Sequence, residues 1–114
     1  MIPGKYNMVC PQGSTFNQVL TYSINSVLVN LTGYTARMQV RERYSSSVKQ
    51  LDLTTLNGGI VLGGALGTIT INATATQTAA IIAKEYVYDL ELVSGSTVKR
   101  IIEGKFIVTP EVTK

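Results

Sequence analysis

Residues 86 to 108 alternate between apolar and polar positions, and this alternation predicts two antiparallel strands joined by a tight turn. One side of the first strand is apolar and carries Tyr86, Tyr88, Leu90 and Leu92. The other side carries Asp89 and Glu91, so the period is two residues, which is the period of a β-strand. Gly95 lies in the turn, and residues 98 to 108 continue as the second strand. The segment predicts a hairpin with one buried and one solvated face.

Short strands between turn residues recur along the rest of the chain. Residues 34 to 40 alternate most cleanly, and a slip of one residue would bury Arg37 and Arg41. Residues 15 to 24 predict another strand, in which Gln18 and Val19 interrupt the alternation and allow a bulge or shared burial. A brief strand near Leu51 and Leu53, and a second, shorter hairpin across Ile60 to Ile71, complete the pattern.

Only the stretch from residue 74 to residue 84 favours a helix. Its alanines are good helix formers, and Thr74 or Asn72 is a suitable N-cap residue. Because Thr76 and Thr78 oppose a long helix, we expect at most one short helical turn near residues 74 to 84. The chain of 114 residues fits one domain, residues 1 to 114, and the repeated short strands predict an all-β antiparallel sandwich.

Composition argues against an enzyme. The chain has no histidine and a single cysteine, so it lacks the residues of a hydrolase triad and of most zinc sites, and its acidic residues lack ligand spacing. The glycines near residues 58 and 63 fit hairpin turns better than a phosphate-binding loop, because no lysine and long helix follow them. We expect no catalytic, cofactor-binding or metal-binding residues, no small-molecule substrate, and no membrane-spanning segment.

Net charge is +3, and the only local concentration of basic residues is Arg37, Arg41 and Arg43. The alternation predicts that these arginines share one face of a strand. Nucleic-acid binding would need a denser basic stripe with exposed aromatic residues, so we do not expect it. The arginines are typical either of a solvated strand face or of a protein contact, since arginine is frequent at interfaces.

Several blocks of sequence resemble a family of small proteins and N-terminal domains from tailed bacteriophages, similar to the upper baseplate protein N-terminal domain and its free-standing relatives. The first block is Leu-Thr-Gly-Tyr-Thr-Ala-Arg-Met-Gln-Val-Arg at residues 31 to 41. Residues 53 to 55, Asn57-Gly58 and Gly67-Thr68-Ile69 form the second. The third is Tyr-Val-Tyr-Asp-Leu-Glu-Leu at residues 86 to 92, and residues 104 to 113 complete the pattern.

The resemblance implies an immunoglobulin-like β-sandwich that acts as a virion building block and supplies no catalytic residues. We expect a structural protein of the virion, made in the bacterial host cytoplasm, that is an adaptor in the tail, baseplate or neck and fibre attachment region. Its partners would be other phage virion proteins, and it would be a homo-oligomer in the particle. The baseplate relatives continue into a receptor-binding region, whereas this sequence ends at Lys114. A capsid decoration protein is the alternative within this class.

A carbohydrate or host-surface binding module is the alternative from another class, although the alternation places most aromatic residues inward. As candidate contacts with partner proteins we select Arg37, Arg41 and Arg43. We add Ile2, Tyr6 and Met8, because residues 1 to 10 are expected to form an extended N-terminal segment. On that interpretation, removing residues 1 to 9 leaves a folded monomer that no longer assembles.

Overall fold

Two facing β-sheets account for most of the structure, a computed structural model that describes residues 4 to 113. In chain order the strands are β1 (Gly4–Lys5), β2 (Met8–Pro11), β3 (Phe16–Thr21), β4 (Ser23–Ile24), β5 (Val27–Leu28), β6 (Thr35–Arg41), β7 (Lys49–Thr54), β8 (Ile60–Leu62), β9 (Thr68–Ala73), β10 (Glu85–Ser94) and β11 (Thr97–Thr109). A 3-10 turn occupies Gly64–Leu66, and one short helix, α1 (Ala75–Ala79), lies between β9 and β10.

The larger sheet has the strand order β1-β11-β10-β6-β7, with β2 also paired to β11. The smaller sheet has the order β3-β9-β8, and β4 and β5 form a separate hairpin. An immunoglobulin sandwich has the same arrangement. Its third, sixth and seventh strands lie in one sheet, and its second, fifth and fourth strands lie side by side in the other. The predicted all-β sandwich is therefore confirmed. All pairs are antiparallel except those of β1 and β2, which run parallel to β11.

The inner faces of the two sheets form one core. The apolar row of β10 is fully inward, as the alternation predicts, and so is the row of Ala36, Met38 and Val40 on β6. Phe106 on β11 contacts Phe16 on β3 edge to face, with ring centroids 5.4 Å apart. This aromatic pair joins the two sheets within the core, where such a geometry adds to the stabilisation from burial.

The connection from β9 to β10 is fixed at both of its ends. The hydroxyl of Thr74 accepts a hydrogen bond from the backbone of Gln77, and the Gln77 side chain accepts one from the backbone of Thr74, which is a capping box. The single short helix predicted near residues 74 to 84 is confirmed. At the far end, the Tyr86 hydroxyl donates to the carbonyl of Ile82 at 2.5 Å, the tyrosine corner of such sandwiches.

The predicted strand over residues 15 to 24 is divided in two. Its partner β9 begins at Thr68, opposite Thr21, so the ladder between β3 and β9 ends there, although the N–H of Tyr22 still donates to the carbonyl of Gly67. The chain then turns into the β4–β5 hairpin, whose tip residues Asn25 and Ser26 both have positive φ angles. No bulge occurs in β3, because its register with β9 is continuous and Val19 simply lies on the exposed face.

The N-terminal strands β1 and β2 are paired with β11 in the larger sheet, and contact of residues 1 to 10 with partner proteins stays a prediction. Met8 is only 1% exposed and lies in the core beside Cys10, so Met8 is wrong as a candidate partner contact. The hydroxyl of Tyr88 donates to the carbonyl of Tyr6 at 2.6 Å and fixes the chain just before β2. Ile2 lies outside the described residues.

Met8 and its neighbour Val9 provide a direct test of this placement. We expect Met8→Ala to lower the free energy of unfolding by about 2 to 5 kcal/mol, because it leaves a cavity in the core. Val9 is 57% exposed, so Val9→Ala should cost less than about 1 kcal/mol. Urea unfolding of both variants measures the difference. Equal, small effects would show that β2 does not belong to the core, as would a truncation of residues 1 to 9 that keeps wild-type stability.

Candidate interaction surfaces

Charged residues are confined to one part of the sandwich. None occurs between Lys5 and Arg37, and none occurs between Asp52 and Lys84. These two neutral segments contain all three strands of the smaller sheet, the β4–β5 hairpin and α1. We call the smaller sheet together with these connections the neutral layer. The charges of the described chain therefore belong to the larger sheet and the loops around it.

The outer face of the larger sheet is covered by ion pairs. Arg37 on β6 lies directly opposite Glu91 on β10, and its Nε is 2.7 Å from the Glu91 carboxylate. On β11, Arg100 lies 3.5 Å from Asp89 and 3.5 Å from Glu103. Lys5 on β1 extends this network, with its Nζ 2.8 Å from Glu103. Because these groups are partly exposed, each pair contributes little to stability, and together they make a solvated face.

The pKa values of two carboxyl groups in this network are shifted in opposite directions. The hydrogen bond from Lys5 lowers the pKa of Glu103. Burial, and after it the neighbouring charge of Glu91, raises the pKa of Asp89, although Arg100 acts in the opposite direction. Asp89 is thus held on the sheet by its strand position rather than by a favourable charge environment.

The three candidate arginines do not act as one patch. Arg37 is paired with Glu91, as described above. Arg41 hydrogen-bonds the side chain of Gln39 and the carbonyl of Ser46, so it ties the β6–β7 loop to the sheet. Strand β6 ends at Arg41, and Arg43 therefore lies in that loop, which corrects the prediction that all three share a strand face. Tyr6 remains on the surface, with its backbone paired to β11.

A groove of about 460 Å³ lies over the outer face of the larger sheet. Side chains of both signs line it, together with the ring of Tyr44, which is 64% exposed. The lining includes Arg37, Gln39, Arg41, Asp89 and Glu91. An exposed aromatic ring beside charged groups is a surface on which a polar ligand could stack.

The outer face of the smaller sheet is uncharged. Its central row runs across the three strands through Val19, Thr70 and Val61, which are directly paired in register. Val19 and Val61 are each 53% exposed. In the next row Asn17 donates a hydrogen bond to Asn72 at 2.6 Å. The face thus combines half-exposed apolar side chains with neutral polar ones.

The β4–β5 hairpin extends the neutral layer with further exposed apolar side chains. Ile24, Val27 and Leu28 are all exposed on it. Its base is hydrogen-bonded to the glycine-rich turn that carries exposed Leu66, since the N–H of Tyr22 donates to the carbonyl of Gly67. Apolar side chains exposed on neighbouring elements in this way are typical of contact surfaces.

Two free edges of the larger sheet are protected by side chains. On β7, the Asn57 side chain accepts hydrogen bonds from the N–H groups of Thr54 and Gly59 and donates one to the carbonyl of Asp52. These bonds occupy backbone groups of Asp52 and Thr54 that point away from β6. At the other edge, β2 ends in Pro11, which has no N–H to offer a further strand. Such devices prevent the pairing of sheet edges between molecules.

The described residues 4 to 113 contain no group of three or more potential metal ligands, and no helix among them is long and apolar enough to cross a membrane. No buried side-chain polar atom of this part of the chain is left without a hydrogen-bond partner. No protein-family model matches the chain, and no curated protein matches it in sequence.

The neutral layer and the protection of β7 were not predicted from the sequence. The two uncharged segments are visible in the sequence, but only the sheet pairing places them in one layer. The pattern around Asn57 indicates a turn, and it gives no sign that this side chain reaches back to the strand. Tyr44 lies beyond the end of β6, where the alternation no longer applies.

We expect Asp89→Asn to raise stability at neutral pH and to leave it unchanged in acid. Because the folded protein has the higher Asp89 pKa, it binds this proton more tightly than the unfolded chain does. The contribution of Asp89 to stability therefore falls as the pH rises through and above the ordinary carboxyl value of 3.8, and it stays low at neutral pH.

Urea unfolding of wild type and Asp89→Asn between about pH 3 and about pH 7 measures this dependence. The two proteins should have the same free energy of unfolding at the acid end, where both side chains are neutral. A variant that is less stable than wild type at neutral pH, or a difference independent of pH, would contradict the assignment.

Proposed function

We propose that this chain is a structural protein of a tailed-phage virion, a non-enzymatic adaptor in the tail, baseplate or neck region that is held between other virion proteins. The observation that carries the proposal is the neutral layer. A soluble domain usually has charges of both signs over its whole surface. Here the larger sheet has charges of both signs on its surface, and the smaller sheet has no charged residue. This difference supports burial of the smaller sheet against neighbouring proteins.

The composition of the neutral layer agrees with that of protein interfaces. The centres of interfaces are depleted of charged residues, because desolvating a charge costs more than its new contacts return. The half-exposed Val19 and Val61, and the exposed side chains of the β4–β5 hairpin, provide apolar area without such a cost. The ion pairs on the opposite face keep that side in water.

The resemblance to phage baseplate domains supports the virion setting. Its longest blocks fall on the larger sheet: residues 31 to 41 include β6, residues 86 to 92 lie in β10, and residues 104 to 113 include the end of β11. The resemblance thus concerns the scaffold of the sandwich more than its neutral layer. The surface chemistry of the neutral layer therefore supports burial against neighbouring proteins, and the resemblance supports the virion setting.

The groove beside Tyr44 favours a second candidate, a carbohydrate or host-surface binding module. Sugars stack on exposed aromatic rings and hydrogen-bond to charged groups at the rim, and Tyr44 with Arg37 and Asp89 offers both. For this candidate we expect the isolated protein to bind glycans on an array and Tyr44→Ala to abolish binding. Binding that survives Tyr44→Ala would place the ligand elsewhere, and no binding at all would remove this candidate.

Quantitative mass spectrometry of density-purified particles tests the virion proposal. The particles come from the phage that encodes this chain, and the copy number is calibrated against the major capsid protein. We expect a few to a few dozen copies per particle for an axial adaptor, because closed protein rings contain small numbers of subunits. Hundreds of copies would instead support capsid decoration. Absence of the chain from the particle would overturn the structural proposal.

A further inference from the structure

Strand β3 is an edge of the smaller sheet with its outer backbone groups exposed. In an antiparallel pair, alternate residues direct both backbone groups towards the neighbouring strand. The N–H of Tyr22 donates to the carbonyl of Gly67 at 2.8 Å, which fixes the alternation for the whole strand. The backbone groups of Asn17, Val19 and Thr21 therefore point away from β9, towards solvent.

No described residue occupies these outward groups. Between residues 4 and 113, none of the hydrogen bonds outside the sheet ladders reaches the N–H or carbonyl of Asn17, Val19 or Thr21. The strand contains no proline, no charge and no bulge. Each of these is a device that proteins use to keep a sheet edge unpaired. The edge at β7, by contrast, is blocked by Asn57, and β8 is only 3 residues long.

The outward residues of β3 are complementary to those of a second copy of the same strand. An antiparallel pairing about a two-fold axis at Val19 places Val19 opposite Val19 of the second copy and Asn17 opposite its Thr21. The three residue pairs then each exchange two hydrogen bonds, so every outward group of Asn17, Val19 and Thr21 is satisfied. An isologous contact of this kind is the usual basis of a dimer.

The absence of charge favours a second copy as the partner. Two-fold pairing brings identical side chains close together at the axis, so a lysine or glutamate there would face its own copy and repel it. The outer face around β3 has only neutral side chains, with Val19 at the centre. The two valines would lie side by side on one face of the joined sheet.

We propose that β3 joins two copies of this chain edge to edge and produces one continuous sheet with the strand order β8-β9-β3-β3-β9-β8. The β3 edge would then be one contact surface of the virion protein proposed above. The dimer rests on that proposal only for its place in a particle. The contact can therefore be tested on the isolated protein. Its failure would leave the virion proposal standing, and absence from virions would leave the dimer standing.

Sedimentation analysis of wild type and two matched lysine variants tests the contact. Val19 and Val61 lie in the same row, have the same exposure and both flank Thr70, but the backbone of Val61 points towards β9. We expect wild type to dimerise and Val19→Lys to raise the dimer dissociation constant at least about tenfold, because two lysines then face each other at an edge. Val61→Lys should dimerise like wild type.

A mixture of Val19→Lys with Val19→Glu distinguishes this pairing from any other contact near β3. Opposite charges face each other only if the axis passes through residue 19, so the mixture should form a heterodimer more tightly than either variant forms a homodimer. Circular dichroism confirms that each variant is folded. A wild type that stays monomeric at about 1 mM, a Val19→Lys variant that dimerises normally, or a mixture without recovery would overturn the proposal.

Discussion

The register of β10 between β6 and β11 is the constraint on which the rest of the structure depends. Because side chains alternate along a strand, a single register decides both faces of the larger sheet at once. It directs Tyr88 and Leu90 into the core and places Asp89 and Glu91 beside arginines on the outer face. A shift of one residue would bury both carboxylates without partners, which is far more costly than the loss of any one contact.

The same register explains how the N-terminus becomes part of the sandwich. The side chain of Tyr88 points inward and extends across β11, and its hydroxyl donates a hydrogen bond to the carbonyl of Tyr6. That bond and the parallel pairing with β11 bring Met8 and Cys10 into the core. Burial also raises the pKa of the Cys10 thiol to about 11, so this thiol is neutral and protected in the folded protein.

Local patterns predicted the parts of the fold that depend on neighbours in sequence. The β10–β11 hairpin, the alternation of β6 and the short capped helix were all predicted, because their signals lie within one strand, turn or cap. Met8 was misplaced because its pairing partner Phe106 lies at the other end of the chain. Arg43 was misplaced because an alternation does not state where its strand ends. The neutral layer could not be predicted from local patterns, because only the sheet order brings its two distant uncharged segments together.

Every open β-sandwich has edges, and this one treats its edges differently. The β7 edge is blocked by the side chain of Asn57, and the β2 edge is interrupted by Pro11. Strand β3 has neither device, although a single lysine on it would serve to discourage pairing at little cost to folding. The strand that exposes free backbone groups is also the one that lies in the neutral layer. Two independent features, unpaired backbone and uncharged side chains, therefore coincide at β3, and a protein that stayed a monomer would need neither.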